Sequence, residues 1–192
     1  MNSITDRSRL QIAKPDILAY FEALPAVIRH KQMMGFLAKE RAGWRLAQRT
    51  TIRDFIVFLK KQGKLKEHKF AFPHQPETLY VWGEIPMMEL LLHLKPRSYY
   101  SHYTAMRLHG LTEQVPKVLY LSYERSSDTQ WGTSLTQSAI DEAFQRPARI
   151  SNNTADFNDF QVLLINSANT GELGVLNHEA QLSLESRVSL RV

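Results

Sequence analysis

Cysteine is absent from all 192 residues, which removes disulfides, thiolate catalysis and zinc ribbons together. No uninterrupted apolar run approaches the roughly eighteen residues that a bilayer-spanning helix needs. The opening Met1-Asn2-Ser3-Ile4-Thr5-Asp6-Arg7 holds no apolar signal stretch. There is no P-loop, no Gly-x-Ser-x-Gly elbow and no Gly-x-Gly-x-x-Gly. Internal repeats and low-complexity tracts are missing as well. What is there is 43% hydrophobic and 22% charged residues, enough apolar material for a packed core. The expectation is a soluble, cytoplasmic protein of one ordinary domain or two small ones, with no membrane partner.

Charge is unevenly spread. Residues 1–69 carry 15 lysines and arginines against 6 acidic residues, whereas residues 70–192 carry 9 against 13. A basic front can neutralise a polyanion; a mildly acidic rear cannot. Basic residues that merely solvate helix faces are the plainer explanation, so the pattern around them has to decide.

That pattern is three helices and a hairpin. Pro15 and Asp16 open an apolar-periodic stretch (Ile17, Leu18, Tyr20, Phe21, Leu24) that Pro25 stops. A second helix is expected over about His30 to Glu40, burying Met33, Met34, Phe36 and Leu37. Gly43 and Trp44-Arg45 break it. In the third, Thr50 or Thr51 caps the N-terminus, Ile52, Phe55, Ile56 and Leu59 recur at helical spacing, and Gly63 follows as a stop. Lys64 to Phe72 then alternates basic and apolar residues, with Leu65 and Phe70 pointing inward. Pro73-His74-Gln75-Pro76-Glu77 is a turn and Thr78 to Trp82 a β-rich run. This order predicts a winged helix-turn-helix over residues 1–83.

The third helix would present Arg53 and the Thr50–Thr51 cap at its N-terminal end, where free N–H groups and the helix dipole suit phosphate. Arg49 and Arg53 are the candidates for reading bases, since the guanidinium fork donates to two acceptors of guanine. Lys64, Lys66 and Lys69 are the candidates for phosphate, joined by Arg45, Lys60 and Lys61. The expected ligand is double-stranded DNA.

Residues 84–192 read as a small α+β domain: a helix from Met87 to Leu94, a helix capped by Ser98 and closed by Gly110, and strands over Lys117–Tyr123 and Phe160–Asn166. Glu124 to Ser134 reads as loop and Ser138 to Gln145 as a helix. His102 and His109 lie too far apart on a helix to chelate together, so no metal is expected. Tyr99, Tyr100 and Tyr103 are expected to pack rather than stack on bases. Asp156-Phe157-Asn158-Asp159 offers paired carboxylates, but no constellation carries a reaction. No catalytic residue and no cofactor is expected.

The stretch Ser98-Tyr99-Tyr100-Ser101-His102-Tyr103-Thr104-Ala105-Met106-Arg107-Leu108-His109-Gly110-Leu111, followed by Val115-Pro116 and a strand, resembles the S-Y-x-S-x-x-(S/T)-A-L-x-x-H-G-L segment of AbiEi-type antitoxins of type IV toxin–antitoxin systems. The run Tyr80-Val81-Trp82-Gly83 fits the end of that family's wing. The resemblance covers residues 15–125. It implies a transcriptional repressor that binds inverted repeats in its own promoter; winged-helix repressors commonly bind paired half-sites, so two copies, a homodimer on DNA, are expected per operator. It also implies a second domain opposing a cognate nucleotidyltransferase toxin in antiviral defence. The family continues past a (T/N)-x-E-(R/K)-T-L-(I/L)-D stretch, whereas this chain ends at Leu184 to Val192, so the resemblance implies a shortened relative. The competing expectation is a protein-interaction module whose basic half only anchors it to DNA.

Overall fold

The computed structural model describes residues 9–124, 136–145, 151–167, 173–181 and 187–192. The protein is a mixed α+β chain that separates into two compact units, residues 1–70 with 76–93 and residues 71–75 with 94–192.

In the first unit, a helical turn at residues 9–12 leads into α1 (Lys14–Glu22), with a proline in its opening turn and Ile17 and Phe21 buried. Proline suits that position because the first helical N–H groups have no partner to lose. The three residues of β1 (Val27–Arg29) follow, then α2 (His30–Glu40), which buries Met33 and Leu37. Phe36 is half-buried and Met34 is exposed, not buried as the apolar pattern suggested. The third helix, α3 (Ile52–Gln62), buries Phe55, Ile56, Phe58 and Leu59.

Strands β2 (Leu65–Phe70) and β3 (Glu77–Trp82) complete an antiparallel sheet in the order β1-β3-β2. Ile28 sits opposite Tyr80, and Glu67 opposite Tyr80 from the other side. Leu65 and Phe70 are both buried but lie on opposite faces of β2, because side chains alternate along a strand. The core gathers the helices around aromatic rings. Phe21 meets Phe55 at 6.0 Å and Trp82 at 5.1 Å, and Trp44 stacks on Phe55 at 5.6 Å. Gly63 owes its place to this packing: a Cβ there would come within 2.5 Å of the Trp82 indole and 2.9 Å of the Leu59 carbonyl. The unit ends with α4 (Met87–Leu92), whose following residue His93 accepts a hydrogen bond at its carbonyl from Arg29. The expected boundary at residue 83 lies ahead of this helix.

The second unit holds a sheet in the order β4-β5-β7-β6, from β4 (Tyr99–Tyr100), β5 (Val118–Glu124), β6 (Thr154–Phe157) and β7 (Phe160–Ser167). Among the described strands of this sheet, only β5 and β7 pair in parallel. Helix α5 (His102–Leu108) starts later than expected. Ser98 is not its cap but donates to the Lys95 carbonyl, and Tyr99–Tyr100 is drawn into the sheet. Helix α6 (Gln137–Gln145) and a hairpin of β8 (Asn177–Gln181) with β9 (Arg187–Arg191) complete it. Most of the expected loop from Glu124 to Ser134 lies outside the described residues; Glu124 itself ends β5. Tyr100 is buried, which pushes its phenol pKa up. The Asp156–Asp159 carboxylates belong to a tight hairpin, with Phe157 paired to Phe160 and Asn158 at φ 53°.

Candidate nucleic-acid interface

Between α2 and α3 the chain makes a compact turn, and Arg41 organises it. Its guanidinium donates to the carbonyls of Ala47, Gln48 and Thr50, satisfying three acceptors in a segment too short for regular structure. Arg45 and Arg49 are both exposed on this turn, Arg45 with a left-handed backbone at φ 52°.

Thr50 is not part of the surface. It is 3% exposed, with its hydroxyl buried and unpaired, because the cap is the next residue and Thr50 turns back toward the core. Thr51 is the cap, with an extended backbone at ψ 159°. Its hydroxyl accepts from the Asp54 N–H at 3.1 Å and donates to Asp54 Oδ2 at 2.7 Å, while Asp54 Oδ2 accepts the Thr51 N–H. The capping box therefore uses groups expected to be free, and it sets a carboxylate at the helix start.

Arg53 is exposed and makes no hydrogen bond or ion pair with the described residues. The outward stripe of α3 continues through Val57, Lys60 and Lys61 at helical spacing, with Val57 43% exposed. The one sequence signal for this exposed valine is that it falls outside the Ile52/Phe55/Ile56/Leu59 face.

Four of the candidate lysines are more constrained than Arg45 and Arg53. Lys60 Nζ lies 2.8 Å from Glu67 Oε2, and Lys69 Nζ lies 3.8 Å from Glu67 Oε1. Lys64 pairs with Glu22 at 2.8 Å and Lys66 with Glu84 at 2.6 Å. Each carboxyl is held below its ordinary range chiefly by its lysine's hydrogen bond: Glu67 by Lys60, Glu22 by Lys64, Glu84 by Lys66. Alternation along β2 puts Lys69 on the side of Glu67 and Lys66 on the other. The structure thus brings Lys60 and Lys69 together on one carboxylate and sends Lys66 to the opposite face of the strand. Arg45, Arg53 and Lys61 have no such partner among the described residues.

No protein-family model matches the chain, and no curated protein matches it.

A groove of about 560 Å³ borders the turn, lined by Arg9, Ile12, Asp16, Trp44 and Arg45 among others. The loop between β2 and β3 behaves differently from the strands it joins. Residues 71–75 cluster with the second unit, Phe72 is buried, and a His74 ring nitrogen lies 3.1 Å from Asn152 Oδ1. Chemically, the surface offers Arg53 on a helix, Arg45 on a turn and Lys61, none paired among the described residues, beside four lysines already bound to carboxylates.

Proposed function

We propose that the chain is a DNA-binding transcriptional repressor of the antitoxin type. In this reading the first unit is a winged helix-turn-helix that occupies operator repeats of its own promoter as a homodimer. The second unit opposes a cognate nucleotidyltransferase toxin. The observation that carries the reading is the order α1, β1, α2, α3, β2, β3 with the sheet β1-β3-β2, and α3 turning Arg53, Val57 and Lys61 outward from a buried inner face. In helix-turn-helix readers the early residues of the second helix of the motif contact base edges in the major groove. Arg53 has the fork for guanine, and Val57, one turn on, has methyl groups suited to the thymine methyl. Lys61 and Arg45 supply phosphate contacts.

The test compares the fragment upstream of the chain's own reading frame with a scrambled duplex of equal length. The parent is expected to prefer the upstream fragment at least tenfold. Arg53→Ala should lose about 1–3 kcal/mol of that preference, while Lys61→Ala should weaken both duplexes alike. Equal affinity of the parent for the two duplexes overturns the reading.

A second reading, an interaction module that DNA merely anchors, draws on the second unit, where Met106, Leu111 and Val115 are exposed, Leu111 at 71%. Capture of a nucleotidyltransferase in the absence of DNA, with no duplex preference, favours it.

A further inference from the structure

The carboxylates that hold the lysines differ in how easily they can leave. The Glu84 side chain is 85% exposed and that of Glu22 52%, so either can swing into water when a competing anion arrives. The Glu67 side chain is only 20% exposed. It stands on β2 in register with Tyr80, whose phenol pKa is raised by burial and by that neighbouring carboxylate. Its two oxygens face different lysines, Oε2 toward Lys60 on α3 and Oε1 toward Lys69 on its own strand. A carboxylate wedged in this way keeps its place when either lysine turns to another anion.

We propose that Glu67 is an internal competitor for phosphate, holding Lys60 and Lys69 and so restraining sequence-independent binding of a nucleic-acid duplex. The proposal rests on the DNA reading above and deepens it. Two lysines around one fixed carboxylate present a single net positive charge, so this cluster neutralises one phosphate where the bare lysines would neutralise two. Phosphate contacts supply affinity without sequence information. Weakening them leaves a larger share of binding to Arg53 and its neighbours on α3, and the ratio of specific to non-specific affinity rises. Exposed ion pairs are individually weak, so the lysines stay recruitable and the restraint is graded. It acts at the end of α3 and on β2. The helix start, where Arg53 has no partner among the described residues, escapes it.

The experiment uses the full chain, a random-sequence duplex and fluorescence anisotropy over about 50 to 200 mM salt, the range in which phosphate contacts dominate the affinity change. Glu67→Gln should bind several-fold tighter, with a log–log salt slope steeper by about one, the signature of one more neutralised phosphate. Glu67→Asp retains the charge and should return close to the parent slope, which separates charge from packing. Glu67→Thr, neutral and suited to a strand, should give the same steeper slope, and it keeps the test decisive if Glu67→Gln folds poorly. Parent-like binding by Glu67→Gln, or by Glu67→Thr if the first variant does not fold, overturns the proposal and leaves the DNA reading standing. Failure of the parent to bind the duplex at about 50 mM salt overturns both.

Discussion

His68 sits half-buried on β2 between Glu67 and Lys69, and its imidazole pKa lies below the ordinary 6.5 because burial disfavours the cation and Lys66 repels it. His93 is shifted the same way, by burial first and with Arg29 adding, although Glu89 opposes. A lowered histidine pKa means that the unfolded chain takes up protons before the folded one does. The stabilisation is therefore complete above the unfolded value of 6.5 and is lost as pH falls through it toward the lowered folded values. The melting temperature should drop between about pH 7.5 and 5.5, and His68→Gln should flatten that slope. Glu22, Glu67 and Glu84 act in a separate window, since their pKa values are lowered from 4.5 and their contribution disappears only below it. A His68→Gln profile parallel to the parent's would remove the assignment. None of this was legible in the sequence. His68 reads there as one more member of a basic stretch, and only its register opposite Leu79 and the flanking pairs reveal its surroundings.

At the scale of elements, the join between α3 and β2 is the tightest point. Gly63 donates its N–H to the Leu59 carbonyl at 2.9 Å, and the Trp82 indole occupies the space a side chain would need. Gly63→Ala should destabilise the protein by about 1–3 kcal/mol through overpacking, seen as a lower urea midpoint. An unchanged midpoint would mean that the indole shifts aside freely. Helix α3 itself was the most legible element, because Thr51, the Ile52/Phe55/Ile56/Leu59 spacing and Gly63 mark its start, face and end. Strand β1 was invisible. Three residues between Pro25 and His30 show no periodicity, and their strand identity comes from pairing with residues 79–81. Tyr99 and Tyr100 read as helix in the sequence for a related reason: β4 forms through its hydrogen bonds with β5. Among the site residues, exposure of Arg53 and Lys61 followed from helical spacing, whereas the burial of Thr50 hinged on which of two threonines caps. The lysine pairs lay beyond reach, since Glu22 and Glu84 come from distant segments.

Across the whole molecule, the chain divides so that neither unit is one continuous segment: residues 71–75 leave the first unit, join the second and return. A fragment of residues 1–93 should therefore carry Phe72 without the surroundings that bury it. The fragment is expected to bind a hydrophobic dye, and Phe72→Ser to reduce that binding. The same substitution in the full chain should cost about 3–5 kcal/mol, as for other buried aromatics. A fragment with no dye signal beyond that of the full chain would count against the division.

Synthesis on the ribosome gives this threading a direction, since front segments emerge and fold before rear ones. The strands β2 and β3 can zip together while Phe72 at their tip is still bare, because residues 94–192, with which it clusters, have not yet been translated. The later unit thus condenses around an aromatic plug already presented to it. Until it does, the nascent protein displays a greasy fingertip, one that a holdase could grip and that vanishes on completion.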